Sequence, residues 1–224
     1  MDDFTLDLVA DLRPVRRRSL TREAAALGCL FTAELALWIA TGNVRPDFGH
    51  IATTLPVFWW KITAAAALMI IASATALKSL YPSASPRRGL MSLAAALAVF
   101  LAAGLVINAR FGFSAVAARL AVPGGLECLC NIIVLSVPPM VAFGMIMRHG
   151  GTTDREGAAL ACGLAAAGWG AFVFAFSCPH DDPLFVAVWY PAAAMLSALA
   201  AWLVLPHLLS TPATAGLSVR DANP

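Results

Sequence analysis

Residues 178–190, Cys-Pro-His-Asp-Asp-Pro-Leu-Phe-Val-Ala-Val-Trp-Tyr, decide how the rest of the chain is arranged. A thiol, an imidazole and two carboxylates fall within the first five positions, between two long apolar runs. The two prolines stop a helix from continuing here, because proline lacks an amide donor and restricts the preceding residue. The three aromatic residues that follow suit a membrane–water interface. We therefore predict a tight turn at a membrane surface that joins two apolar helices.

The composition supports a membrane protein. Of the 224 residues, 60% are hydrophobic and only 12% are charged, whereas a soluble domain is about 45–50% apolar and about 25% charged. Six apolar runs have the roughly 17–25 residues that a helix needs to cross a bilayer, and none alternates like a barrel strand. The sequence predicts an all-α integral membrane protein with six transmembrane helices. The predicted spans are about 24–41, 57–77, 90–109, 126–147, 157–177 and 185–208.

The distribution of Lys and Arg predicts the orientation. Eleven of these residues fall in the termini and loops on one side of the predicted membrane domain, and three, Arg45, Arg110 and Arg119, fall on the other. Cytoplasmic loops carry the excess of positive charge, so we predict that both termini are cytoplasmic. The predicted location is the bacterial inner membrane, which the chain would cross several times. The Cys178 turn would then face the periplasm, where disulfides persist.

The N-terminal 23 residues form the largest polar segment. Acidic and apolar residues each recur there every four positions, so a helix would carry an acidic stripe beside an apolar one. The helix could lie on lipid headgroups, but its acidic residues favour a basic protein partner. The predicted partner-binding residues are Asp3, Phe4, Asp7, Leu8, Asp11 and Leu12. The predicted organisation is a cytoplasmic segment 1–23, a membrane domain 24–208 and a disordered cytoplasmic tail 209–224.

Three of the five cysteines fall at the outer face. Spans four and five form a helical hairpin, and each residue of a helix adds about 1.5 Å along its axis. Counted from the loop that joins the two spans, Cys128 and Cys178 lie at about the same depth in the membrane. Cys130 is an alternative partner, because residues two apart do not share a helix face. The other two, Cys29 and Cys162, fall near the cytoplasmic ends of their spans, where we interpret them as small apolar residues.

The chemistry of the outer thiols has several possible forms. Cys128 and Cys178 could form a permanent disulfide, remain two buried thiols, or switch between oxidation states. Together with His180 and with Asp181 or Asp182, they could also bind a metal ion, since thiolate and imidazole suit zinc and softer metals. Such an ion would act as a signal, and the sequence predicts no required cofactor.

Two ionisable residues lie in or beside the apolar runs. Glu34 is near the middle of the first span, where a carboxylate is costly. Trp59, Trp60 and Lys61 begin the second span, and we interpret them as interfacial anchors whose lysine extends to the surface. An alternative is that Lys61 pairs with Glu34. Glycines and alanines in the fifth span predict close helix contacts and a central position for that helix, and Pro138-Pro139 predicts a kink in the fourth.

The chain resembles the NrsF-type membrane anti-sigma factors of proteobacteria over nearly its whole length. Its most specific match is the block from Cys178 to Tyr190 quoted above. The other matching residues are Ala10–Val15, Arg45–Asp47, Phe58–Lys61, Cys128 and Ser136–Pro139.

The resemblance implies six membrane helices and a regulatory function. It implies retention of a stress-response sigma factor, of the extracytoplasmic-function type, at the inner membrane, and release under metal or oxidative stress. Two periplasmic cysteines carry the sensing role in such proteins, and Cys128 and Cys178 match them by position.

The main alternative is an enzyme that passes electrons from periplasmic dithiols to quinone. Cys128-Leu129-Cys130 and Cys178 could supply its redox centres, although such thiol–disulfide oxidoreductases normally use two pairs. The sequence contains no phosphate-binding loop, no Ser-His-Asp set and no nucleic-acid-binding surface. We therefore predict no catalytic residues, no direct contact with nucleic acid, and two partners, a sigma factor and the membrane lipid.

Overall fold

A computed structural model describes residues 19–81, 84–109, 118–120, 122–148 and 152–209. These residues form seven helices and no strand, which confirms the all-helical prediction. The predicted partner-binding residues, from Asp3 to Leu12, and the tail from residue 210 onward lie outside the described residues. The helices are α1 (Leu20–Ala40), α2 (Phe48–Thr54), α3 (Pro56–Ser79), α4 (Arg87–Ala109), α5 (Val122–Arg148), α6 (Arg155–Ala175) and α7 (Pro183–Leu209).

Six of the seven helices are long and apolar enough to cross a membrane. They correspond to the six predicted spans, although α1 and α5 each begin four residues before the predicted start. The seventh helix, α2, lies in the loop between the first two predicted spans. It ends at Thr54, because the residue before Pro56 is extended and cannot continue the helix.

The centre of the bundle is α6, as the sequence predicted. Fourteen of its 21 residues are buried, and it packs against α3, α5 and α7. Its glycines permit these close approaches. A Cβ at Gly163 would lie 2.7 Å from the Cα of Ala198, and one at Gly170 would lie 2.5 Å from the carbonyl oxygen of Ile132. Small residues at helix contacts are the usual means of packing helices in membranes.

The helix α5 continues through its two prolines. Pro138 and Pro139 both lie inside the helix, and the Ser136 hydroxyl donates a 2.6 Å hydrogen bond to the carbonyl oxygen of Ile132. Pro139 is buried and Pro138 is exposed. The sequence predicted a kink at these prolines, and both lie within one helix, Val122–Arg148, that packs on α6 and α7.

Successive long helices run in alternating directions, so each end of the bundle contains helix termini from several helices and the loops that join them. The end that contains Cys178 is called here the thiol end. It gathers the last turn of α1, the first turns of α3, α5 and α7, and the last turn of α6. Contacts confirm this grouping, since Trp38 reaches Ser177 and Lys61 reaches Asp181. The loops that precede α4 and α6 meet at the opposite end, where Gly157 lies against Pro86.

Candidate functional site

The turn between α6 and α7 has a defined backbone. The amides of Ser177 and Cys178 both donate to the carbonyl oxygen of Phe174, each at 2.9 Å, and so close the last turn of α6. At the other side, Asp182 accepts a 2.8 Å hydrogen bond from the amide of Leu184. A carboxylate in this position satisfies a free amide at the start of α7. The predicted turn is present, and it places Cys178 inside the bundle.

Cys128 and Cys178 face each other at the thiol end. Their sulfur atoms are 3.5 Å apart, and the residues are 2% and 0% exposed. Cys130 is exposed on α5, two residues further along. The geometry therefore pairs Cys178 with Cys128, because Cys130 lies on another face of the same helix. Of the remaining cysteines, Cys162 is buried, as expected, but Cys29 is exposed on α1.

The sulfur separation is compatible with two chemical outcomes. Closure to a disulfide requires an S–S distance of about 2.05 Å, which is roughly 1.5 Å shorter than the observed separation. Two thiolates on one tetrahedral zinc ion, with Zn–S bonds of about 2.3 Å, are about 3.8 Å apart. Either change needs only a small displacement from the observed pair.

His180 supplies a third donor beside the thiols. One face of its ring stacks on Phe185, with the ring centroids 4.1 Å apart. Gly124 lies so close to the ring that a Cβ on this residue would be 2.8 Å from Cε1 of His180. The Nδ1 atom is buried and has no hydrogen-bond partner among the described residues. A nitrogen of His180 and the sulfurs of Cys128 and Cys178 all lie within 4.8 Å of one another. This donor set fits zinc or a softer cation, and three protein ligands leave a fourth position open.

A cleft of about 240 Å³ reaches two of the three donors from the surface. Trp38 and Asn43 form the side that belongs to α1 and its following loop, and Glu127 and Asn131 form the side that belongs to α5. Cys128 and His180 lie in the lining of the same cleft. An ion or a small oxidant could therefore reach the donors from the thiol end. The lining residues are Trp38, Asn43, Gly124, Glu127, Cys128, Asn131, Phe174, Ser177, Pro179 and His180.

Asp181 does not join the three donors. Its two carboxylate oxygens bind Lys61 at 2.7 Å and Arg45 at 2.8 Å. Lys61 is 1% exposed, so it lies inside the bundle, and its predicted role as a surface-reaching anchor is wrong. Its ammonium group also donates to the carbonyl oxygens of Cys178, at 3.1 Å, and His180, at 3.3 Å. The turn is thus fastened to α3 by one buried lysine.

Arg45 fastens the same turn from the first loop. Its guanidinium donates to the carbonyl oxygen of Cys178 at 3.2 Å and pairs with Asp47 as well as Asp181. The neighbouring guanidinium lowers the pKa of the Asp47 carboxyl. Asp182 is occupied too, because it caps α7 and lies 3.5 Å from Arg119. Both carboxylates proposed as ligands are therefore bound to cationic or amide donors.

The surroundings of Cys178 favour its thiolate. The hydrogen bond with the Cys128 thiol and the nearby Lys61 ammonium outweigh burial and lower the pKa of Cys178 to about 6. The hydroxyl of Tyr190 lies beside the same sulfur and acts in the same direction. Thiolate is the form of cysteine that binds metals and attacks oxidants. The pair therefore supplies a thiolate more readily than an ordinary cysteine does.

Glu34 has a different partner from the one considered above. Its carboxylate accepts a 2.9 Å hydrogen bond from the indole nitrogen of Trp169 on α6. The alternative pairing with Lys61 is wrong, because that ammonium is held by Asp181 and two carbonyl oxygens.

The sequence did not indicate that Trp38 and Tyr190 lie beside the thiol pair. Arg45 and Lys61 belonged to matching blocks, and only their position in those blocks could have indicated a role beside Cys178.

Comparison with known proteins supports one family. A model of the family described as NrsF, negative regulator of sigma F, matches residues 8–210. No curated protein and no solved structure matches the chain.

Proposed function

Because this chain belongs to the NrsF family of negative regulators of sigma F, we propose that it is an anti-sigma factor of the bacterial inner membrane. It crosses the membrane six times and holds a stress-response sigma factor of the extracytoplasmic-function type on the cytoplasmic side. Metal binding or oxidation at Cys128 and Cys178 releases that sigma factor. The single observation that carries the sensing role is the buried thiol pair, 3.5 Å apart, with His180 beside it.

The orientation proposal rests on charge. The thiol end carries few basic residues, and those that are described there bind acids, as Arg45 and Lys61 bind Asp181. The opposite end carries Lys78, Arg87 and Arg88 among others. By the positive-inside rule the thiol end faces the periplasm. Reporter fusions after Arg88 and after Asp182 test this, and an inverted pattern contradicts the sensing proposal.

The proposed metal ligands are Cys128, Cys178 and His180. These three supply soft and intermediate donors, and the buried Nδ1 of His180 has no competing hydrogen bond among the described residues. Asp181 and Asp182 are excluded from the proposed ligand set, because each is already bound elsewhere. Cadmium–thiolate absorbance of the purified protein tests the set. His180→Ala should weaken cadmium binding at least tenfold, and Asp182→Asn should weaken it far less.

The output of the proposed function is retention of a sigma factor. Its contact surface includes the acidic and apolar stripes of residues 1–23. Affinity purification of the tagged chain from membranes should recover a sigma factor, and deletion of residues 2–12 should abolish recovery while the chain remains in the membrane. Recovery that is undiminished by the deletion would move the contact to the loops before α4 and α6.

The proposed regulator does not require the thiols to turn over a substrate. A quinone-coupled oxidoreductase needs a second redox pair, and Cys130, the third thiol of the thiol end, is exposed rather than paired with Cys178. Reduction of ubiquinone by the purified protein with a dithiol substrate is the assay that separates the two functions.

A further inference from the structure

The first helix is weakly attached to the bundle. Of the 21 residues of α1, only Leu27 is buried, whereas α6 has fourteen buried residues. Few buried contacts mean that a segment separates from its neighbours at low cost. Residues 1–19 precede α1 in the chain, so α1 connects the bundle to the segment assigned above to the sigma factor.

Two tryptophans hold α1 against α6. In the middle of the helix, Trp169 stacks on Phe31 with ring centroids 4.3 Å apart, and its indole donates to Glu34. At the thiol end, the indole nitrogen of Trp38 donates a 2.7 Å hydrogen bond to the hydroxyl of Ser177. Ser177 directly precedes Cys178, so this second bond ends one residue from the thiol pair.

The thiol pair is connected to that bond through the backbone between Cys178 and Ser177. Cys128 lies within α5, which packs along α6 and α7, whereas Cys178 lies in the turn between two helices. Closure of the sulfurs by about 1.5 Å, where it is taken up on the Cys178 side, also displaces Ser177, the neighbour of Cys178 in the chain. A shift of Ser177 by about 1 Å along the line of the bond takes the 2.7 Å separation beyond the 3.5 Å limit of a hydrogen bond.

From these contacts we propose that Trp38 couples the thiol pair to α1. While the thiols are reduced and free of metal, the Trp38–Ser177 hydrogen bond holds α1 against the bundle. When the pair reacts, the bond breaks and α1 moves away from α6 at the thiol end. The coupling has the two sites and the two states that a switch requires. Its regulatory consequence rests on the proposed function, but the displacement of α1 does not.

The size of the effect follows from one interhelical hydrogen bond. Such bonds in membrane proteins change helix association by on the order of three- to thirtyfold. Trp38→Phe removes the indole donor and retains an aromatic ring in the same place. It should therefore raise the displaced population of α1 by about that factor without any signal. Ser177→Ala removes the acceptor and should have the same effect.

The direct test measures the distance between α1 and α5 in the purified protein without a sigma factor. Spin labels carried by unnatural amino acids at Leu37 and Val134 use two exposed positions and no cysteine chemistry. Cys29, Cys130 and Cys162 are replaced by alanine so that Cys128 and Cys178 remain the reactive pair. Diamide then oxidises the pair, and each disulfide formed transfers two electrons and two protons to the diazene. The label distance should change on oxidation and return on reduction.

The matched control is Trp59→Phe. Trp59 also donates an indole hydrogen bond at the thiol end, 2.7 Å to the carbonyl oxygen of Ala52, but this bond joins α3 to α2 and not to α1. Reduced Trp38→Phe should show the displaced distance in a larger fraction of molecules, and Trp59→Phe should match the parent protein. Identical distances in the reduced and oxidised parent, or identical behaviour of the two variants, would overturn the proposal.

The same variants separate this inference from the proposed function. In cells, Trp38→Phe should release part of the sigma factor without a signal, and Trp59→Phe should not. If the parent chain never retains a sigma factor, the proposed function fails while the label distances still decide the movement of α1. If the parent retains and releases it normally but the distances never change, the coupling through Trp38 is wrong and the function stands.

Discussion

Replacement of Lys61 by methionine should destabilise the bundle strongly. Methionine retains the length and apolar stem of lysine but removes three donors at once, to the Asp181 carboxylate and to the carbonyl oxygens of Cys178 and His180. Both partners are well buried, since the side chains of Lys61 and Asp181 are 0% and 17% exposed. In the variant, the Asp181 carboxylate and the carbonyl oxygens of Cys178 and His180 each lose the hydrogen bond that Lys61 donates in the native protein.

The magnitude follows from the ion pair. Breaking a buried pair by removing one partner costs about 3–5 kcal/mol. Because Arg45 still binds Asp181, we expect the lower part of this range, about 3 kcal/mol. For a chain of this size, 1 kcal/mol changes Tm by roughly 2–4 °C, so the expected decrease is on the order of 10 °C. Thermal unfolding of the detergent-solubilised protein, followed by circular dichroism, measures it.

The control is Lys78→Met, which changes an exposed lysine at the opposite end of the same helix and should change Tm by at most about 2 °C. The double variant Lys61→Met, Asp181→Asn removes the unpaired charge and should recover part of the loss. If Lys61→Met is no less stable than Lys78→Met, the buried ion pair does not hold the turn in place, and the account of the site is refuted.

Three further predictions concern the centre of the bundle and the thiols. Gly170→Ala should cost about 1–3 kcal/mol because its Cβ would meet the carbonyl oxygen of Ile132. Gly28→Ala, whose Cβ meets nothing within 4 Å, should be neutral or slightly stabilising; equal effects on Tm would contradict the packing of α6. Thiolate absorbance should rise with a midpoint near pH 6, because the lowered pKa leaves Cys178 ionised above that pH and protonated below it. Cys128→Ala should move the midpoint up, since the Cys128 hydrogen bond is the main cause of the lowering, and an unchanged midpoint would contradict that cause. Diamide should form the intramolecular disulfide in Cys130→Ser as fully as in the parent but not in Cys128→Ser, as non-reducing mass spectrometry of the tryptic digest would show; the reverse result would make Cys130 the partner.

Much of the architecture could be predicted from apolar run lengths. Bilayer thickness sets the length of a spanning helix, so six runs predicted six long helices, and the small residues of α6 predicted its central position. That Cys128 and Cys178 lie at the same end of the bundle could be inferred from the rise per residue of a helix. These inferences succeed because each depends on one segment, or on two segments joined by a short turn.

The details of the site depend on contacts between distant segments, and the sequence left them open. Helical spacing alone could not decide between Cys128 and Cys130, because the rotation of α5 about its axis is set by its packing on α6. The misassignment of Lys61 has the same origin. A lysine at the start of a span usually extends to the surface, but here the turn after α6 brings a carboxylate and two carbonyl oxygens into the bundle. Burial of the ammonium group is then compensated by three bonds.

The measurement that tests the central claim most directly is the location of the sigma factor before and after exposure to cadmium. Cells that carry the parent chain, Cys130→Ser, or the double variant Cys128→Ser, Cys178→Ser are separated into membrane and soluble fractions, and the sigma factor is quantified in each. We predict that cadmium moves it from the membrane to the soluble fraction with the parent chain and with Cys130→Ser, and that cadmium leaves its distribution unchanged with the double variant. A double variant that releases the sigma factor as the parent does would contradict the claim that Cys128 and Cys178 sense the signal.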